Sequence, residues 1–195
     1  CPATTALKPV TFQVSYDRLH PPATYSAYDT SNPTKATVSH ALVMAVRYPT
    51  DGSAATVLGV AIVGPDGQVT LDVPSPLTPH DFVVLTTLGY RASDGASVFA
   101  VLEPDSSDPS TVVGIDKPLT GAPYTWSKAA MAVAAAGAWH IARLNGAAVL
   151  QAYDDVAYTW MSSITDTFGK SGKTLITWMR PAGEFSCGSC FLDWP

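Results

Sequence analysis

The sequence predicts an α+β protein in which an amino-terminal antiparallel β-sandwich, residues 1–105, is followed by a helix-plus-strand region, residues 106–195. Three observations carry this expectation. Up to about Glu103, short apolar segments are separated by clusters of Gly, Pro, Asp and Ser, the punctuation of an antiparallel β-module. From Gly146 to Phe168, apolar residues recur instead at three- and four-residue steps, the period of a helix with one dry face. Between the two lies Glu103 to Thr111, whose prolines and hydroxyl residues read as a linker.

In chain order, Val10, Phe12, Val14 and Tyr16 alternate with polar residues and predict a half-buried strand. A Pro- and Thr-rich connection is expected from Pro21 to Pro33. Ala41 to Val46 is a continuous apolar run ended by the turn signal Tyr48-Pro49-Thr50-Asp51-Gly52. Val57–Val63 and Val69–Val73 flank Gly64-Pro65-Asp66-Gly67 and predict a hairpin. Phe82–Leu88 and Ser97–Leu102 predict two further strands. In the helix, Val149, Leu150, Tyr153, Val156, Ala157, Trp160, Met161 and Ile164 form one apolar stripe, with Asn145 as its cap and Gly169 at its end. Asp154 and Asp155 are assigned to its wet face. Thr174–Met179 predicts a strand stopped by Arg180-Pro181, and Ala182–Pro195 a loop. The helix is expected to lie against a sheet that includes Thr174–Met179. There is no internal repeat.

Composition narrows the class. Apolar residues make up 47% of the 195, enough for a core, while charged residues are only 14%. That is well under the roughly 25% of an ordinary soluble domain, a pattern common in extracellular β-proteins. The 11 Lys and Arg residues are scattered on a chain of net charge −5, which argues against nucleic acid as a partner. No apolar run approaches the ~20 residues of a membrane span, and the Ala-rich stretch Ala129–Ala138 is too short.

Of the three cysteines Cys1 is left over, and an odd cysteine in a secreted protein suggests a special fate for one thiol. Cys187 and Cys190 form a CxxC pair, read as a short disulfide that closes a surface loop. A zinc site would need two more ligands beside this pair, and a thioredoxin-type redox site would need a helix after it. The run Cys187-Gly188-Ser189-Cys190-Phe191 invites comparison with papain-type proteases, but five residues follow Cys190, leaving no place for their downstream histidine base. His20, His40, His80 and His140 stand far apart in no metal-binding spacing, and Asp72, Asp81 and Asp94 lack the spacing of a calcium loop. The sequence therefore nominates no catalytic residue, no metal ligand and no cofactor.

Three resemblances add to this reading. Cys1-Pro2-Ala3-Thr4-Thr5 resembles the mature start of bacterial lipoproteins, which implies acylation at Cys1 and membrane anchoring through it; the alternatives are a mere chain boundary or pairing with another chain. The strand and turn order over about residues 40 to 90 resembles the transthyretin-like modules of carboxypeptidase regulatory domains, which are accessory. Trp139-His140-Ile141, the helix through Tyr153-Asp154-Asp155, Leu175-Ile176-Thr177-Trp178 and Phe185 to Phe191 resemble the segment before the catalytic helix in bacterial zincin-type metallopeptidases. This likeness covers about residues 135 to 195. The zinc-binding HExxH of that family is missing, so no functional residue is carried over.

Two functions follow as expectations. One is the non-catalytic amino-terminal part of a secreted or lipid-anchored zincin-like metallopeptidase, with a downstream catalytic segment as partner. The other is a stand-alone extracellular structural, adhesive or filament-forming β-sandwich protein that partners copies of itself. Both place the chain outside the cytoplasm.

Overall fold

The structure is a computed structural model that describes residues 6–20, 29–90, 97–104, 121–143, 146–158 and 175–178. These form eleven strands and two helices in the order β1 (Ala6–His20), β2 (Asp29–Thr37), β3 (Ala41–Arg47), β4 (Thr56–Ile62), β5 (Gln68–Ser75), β6 (Asp81–Tyr90), β7 (Ser97–Pro104), β8 (Gly121–Pro123), β9 (Thr125–Ala129), α1 (Ala130–Ala136), β10 (Ala138–Ile141), α2 (Ala147–Tyr158) and β11 (Leu175–Trp178). The β-rich α+β class predicted from the sequence is what the chain adopts.

The smaller sheet is organised around β1, whose alternation puts Phe12, Val14 and Tyr16 into the core. Its first part, Ala6–Gln13, pairs antiparallel with β5, and its second part, from Ser15, with β2. Both neighbours lie on the same edge, because Val14 donates its N–H to the Gly67 carbonyl and accepts the Val38 N–H. A residue's N–H and C=O leave a strand on one side, and the next residue's leave on the other. Gln13 accordingly donates to the Gly137 carbonyl at 3.1 Å on the opposite edge, where β10 runs parallel to β1.

The larger sheet has the order β11-β7-β6-β3-β4, with β8 added to β7 and β9 to β6. The apolar run Ala41–Val46 is its interior strand β3, paired on both edges and buried at Ala41, Val43, Ala45 and Val46. Strands from beyond residue 120 join both sheets: β9 continues the far edge of β6, β10 flanks β1, and β11 lies parallel to β7. The two sheets and both helices bury their side chains in one cluster, which includes Phe12, Leu71, Val83, Phe99, Trp139 and Leu150.

Three expectations change. The stretch from Pro21 to Pro33, read as a connection, ends in strand: β2 begins at Asp29. It is a polar sheet-edge strand, exposed from Asn32 to Lys35, so it carries no hydrophobic alternation. Pro33, which has no N–H, falls where the register with β1 shifts. The second change concerns the hairpin around Pro65-Asp66-Gly67. The turn is made, with Gly64 N–H donating to Gln68 at 2.7 Å and Gly67 N–H to Gly64 at 3.0 Å. Yet β4 pairs with β3 and β5 with β1, so the turn carries the chain from one sheet to the other.

Two glycines make that passage possible. Gly67 has φ +78, and a Cβ there would come within 2.6 Å of the Thr37 side chain. At Gly59 a Cβ would overlap the Asp72 carbonyl oxygen, so β4 and β5 come together too closely for any side chain. The third change is that the pairing is not wholly antiparallel, since β1·β10 and β7·β11 are parallel. In chain order each of these late strands comes after a helix, β10 after α1 and β11 after α2.

The predicted helix is α2, with Val149, Leu150, Tyr153 and Ala157 buried. It packs on β1, β7 and β6, the last two belonging to the sheet that includes β11. Trp160, Met161, Ile164, Asn145 and Gly169 lie outside the described residues. The Ala-rich stretch forms the short α1, closed by Gly137 in the left-handed conformation with its N–H on the Val133 carbonyl. Among the described residues no helix is long and apolar enough to cross a membrane.

Candidate functional site

Strand β1 is the hub on which polar side chains converge, and it sends them to opposite faces. Ser15 and Asp17 point away from the core, toward β10. The register pairs Ser15 with His140 directly, so the imidazole lies over this outer face. Its Nδ1 is 3.1 Å from Ser15 Oγ, and its Nε2 is 2.9 Å from Asp17 Oδ1. The second oxygen of Asp17 accepts the Arg143 backbone N–H at 2.9 Å. The carboxylate favours the Nε2–H tautomer, which leaves Nδ1 to accept the serine hydroxyl.

Carboxylate, imidazole and hydroxyl in that order is the connectivity of a hydrolase relay. Accessibility decides against it. Ser15 is only 2% exposed, whereas a nucleophile must reach a substrate carbonyl. The exposed member is the imidazole, whose two nitrogens are both engaged. What the trio does is hold β10 in parallel register on β1.

The inner face of β1 meets α2. Tyr16 donates its phenol O–H to Asp154 Oδ2 at 3.1 Å and accepts from Arg18 at 3.2 Å. Ser39, in the turn after β2, donates to Asp154 Oδ1 at 3.2 Å. Arg18 pairs with Asp155 and stands 3.6 Å from Asp154. One turn earlier on the helix, the buried Gln151 side chain reads the Leu19 backbone as a strand would: Leu19 N–H donates to Oε1 at 2.8 Å, and Nε2 donates to the Leu19 carbonyl at 2.9 Å. The assignment of Asp154 to the wet face is thereby corrected. Its side chain is 18% exposed against 50% for Asp155. Burial, only partly offset by the hydrogen bonds from Tyr16 and Ser39 and by Arg18, raises its carboxyl above the usual aspartate range. Burial also raises the phenols of Tyr16 and Tyr153, which stay protonated.

A third polar group sits at the mouth of β6. Asp81 is 2% exposed and binds Arg47 in a two-pronged pair, Nε to Oδ1 at 2.7 Å and a terminal nitrogen to Oδ2 at 3.0 Å. Thr78 adds its backbone N–H at 2.7 Å and its hydroxyl at 2.8 Å. Burial alone would raise this carboxyl; the hydrogen bonds of Arg47 and Thr78 outweigh it and hold Asp81 below the usual range.

The residues weighed from the sequence are mostly kept apart. Asp72 is exposed on β5, and Asp81 is consumed by Arg47, so the two do not form a calcium site. His80 lies exposed before β6, and His40, at φ 58, closes the turn after β2 by donating its N–H to Val63 and accepting from Tyr90. Cys1, Asp94, Cys187 and Cys190 lie outside the described residues, as does the side chain of His20. Among the described residues no three His, Cys, Asp or Glu side chains are grouped to hold a metal ion. Sequence reasoning missed the roles of Ser15, Asp17, Tyr16, Arg18 and Gln151. Alternation does place Ser15 and Asp17 on one face, but the histidine between them is 125 residues away from Ser15, a juxtaposition that no local pattern encodes. No protein-family model matches the chain, and neither a curated protein nor a solved structure matches it.

Proposed function

We propose that this chain is the non-catalytic amino-terminal part of a secreted or lipid-anchored zincin-like metallopeptidase. The observation that carries the reading is the α2–β11 unit: a helix buried through Leu150, Tyr153 and Ala157 on the shared core, followed in sequence by a strand that joins the larger sheet beside β7. This is the order of elements that the resemblance implies ahead of a metal-binding helix. In the same reading the two sheets around the common core form a sandwich, and residues 40 to 90 are a transthyretin-like accessory module. An acylated Cys1 and a Cys187–Cys190 disulfide belong to an extracytoplasmic setting, and the partner is a downstream catalytic segment.

The test compares this chain with the full natural open reading frame, each incubated with zinc, dialysed and assayed on casein. The expected result is stoichiometric zinc and hydrolysis by the full product, and neither by residues 1–195 alone. Zinc retention by the chain itself, or a full product without zinc, overturns the proposal. Mass spectrometry of the non-reduced, alkylated protein tests the disulfide, and alkylation of both Cys187 and Cys190 refutes it.

A second reading, an independent adhesive or filament-forming subunit, is favoured by the outward apolar residues Val57 and Val60 of β4, which are 52% and 58% exposed. Concentration-dependent self-association in sedimentation velocity, abolished by Val60→Lys, supports it; a monomer at every concentration removes it.

A further inference from the structure

An aspartate followed by glycine carries a reaction within its own backbone, because glycine has no Cβ to shield the next amide nitrogen from the aspartate carboxyl. The described residues contain this pair twice, at Asp51-Gly52 and at Asp66-Gly67, and a third pair, Asp94-Gly95, lies outside them. Both described aspartates are exposed, and both make the same local turn. Ser53 N–H donates to Asp51 Oδ1 and Gln68 N–H to Asp66 Oδ1, each at 3.0 Å. The glycines differ. Gly67 is buried where the chain passes between the sheets, its N–H donating to Gly64 at 3.0 Å and its carbonyl accepting from Val14 at 2.9 Å. The Thr37 side chain closes over its α-carbon, so that an added Cβ would come within 2.6 Å. Gly52 lies in a run of exposed residues from Thr50 to Val57, and an added Cβ there would meet nothing within 4 Å. Among the described residues its N–H donates no hydrogen bond.

We propose that Asp51 is a self-modification site, converting to isoaspartate in the folded protein, while the fold holds Asp66 back from the same reaction. The step needs no enzyme and no co-reactant but water. The Gly52 backbone nitrogen attacks Asp51 Cγ, forming the N–Cγ bond of a five-membered succinimide. The nitrogen's proton and one carboxyl oxygen leave as water, an ionised carboxylate first taking a second proton from solvent. Water then adds back to the ring. Opening at Cγ restores aspartate; opening at the main-chain carbonyl leaves the backbone running through the Asp51 side chain, with the α-carboxylate pendant. One water is lost and one regained, and nothing is oxidised or reduced. To reach Cγ the peptide between aspartate and glycine must rotate and carry the glycine N–H with it. At Gly52 that rotation turns into solvent. At Gly67 it must break the bond to Gly64, in a residue that Val14 and Thr37 hold in place. The product adds one methylene to the backbone of the turn between β3 and β4, beyond their last paired residues Arg47 and Thr56. The site is independent of the function proposed above.

The wild-type chain supplies its own control. No Lys or Arg lies between Arg47 and Arg91, so trypsin releases both aspartates in one peptide, Tyr48 to Arg91. The full chain is aged at body temperature in mildly acidic buffer, folded and, in parallel, unfolded in guanidinium chloride. Isoaspartate at each position is then read from the backbone fragments of electron-transfer dissociation and from resistance to cleavage before aspartate. In the folded protein Asp51 should isomerise about tenfold or more faster than Asp66, since the hydrogen bonds at Gly67 must open first. In denaturant the two rates should converge, because both pairs are Asp-Gly in an unrestrained chain. Equal rates in the folded protein, or no isoaspartate at Asp51 there, overturn the proposal. So does a difference that persists undiminished in denaturant, since local sequence and not the fold then sets it.

Discussion

Asp81 and Asp154 are both carboxylates withdrawn from water, and their surroundings push them in opposite directions. Asp81 meets Arg47 through two hydrogen bonds and receives two more from Thr78, so its charge is matched where it lies. Asp154 meets two neutral hydroxyls and stands 3.6 Å from the Arg18 guanidinium, which hydrogen-bonds Asp155 instead. Burial opposes ionisation at both; only at Asp81 do the partners outweigh it. The lesson is that burial alone does not settle the charge of a carboxyl. What settles it is whether a full countercharge is buried with it or drawn off to the surface.

The largest effect that sharpens this contrast is expected at Arg47. Arg47→Ala leaves Asp81 buried and unpaired, and should cost ~3–5 kcal/mol at neutral pH by urea unfolding. If it costs no more than an exposed pair, the match at Asp81 is not what holds β3 to the start of β6. That cost carries a definite pH dependence. Asp81 is lowered in the fold, so its contribution is whole above the unfolded value near ~4 and disappears as pH falls through the folded value. The difference between wild type and Arg47→Ala should therefore shrink on acidification. A difference that widens toward low pH breaks the comparison.

Gln151 comes next. Gln151→Ala strips both hydrogen bonds from the Leu19 backbone in a buried setting, and a loss of about 1–3 kcal/mol is expected from thermal or urea unfolding. An effect near zero means that water replaces the amide there. Arg18→Ala should cost no more than ~1 kcal/mol, because the guanidinium is partly exposed and Asp154 can take up a proton in its absence. A loss equal to that of Arg47→Ala shows that the two carboxylates are equivalent after all. The smallest change is expected for Asp155→Ala, within ~0.5 kcal/mol, since its side chain is half-exposed.

Legibility followed the same divide between burial and partnership. The alternation of Phe12, Val14 and Tyr16 and the run Ala41–Val46 announced β1 and β3, because a strand with a buried face must carry that face in its own residues. The polar edge strand β2 has no such obligation and went unseen. Asp154 and Asp155 are adjacent and identical, and periodicity put both in water. A step of about 100° along the helix separates their faces, and only the presence of Tyr16 and Ser39 opposite one of them makes it buried.

The sequence by itself determined where most strands and the second helix lie, the turns that end them and the apolar side chains that fill the core. These depend on local conformational preference and on hydrophobic period, both written in neighbouring residues. The tertiary structure alone decided which sheet each strand enters, that the turn at Gly67 passes between sheets instead of closing a hairpin, and that His140 meets Ser15 and Asp17. It alone decided too which of two aspartates loses its water. Pairing partners, register and countercharges come from residues far apart in the chain, and their energies exist only once the backbone has brought them within a few ångströms.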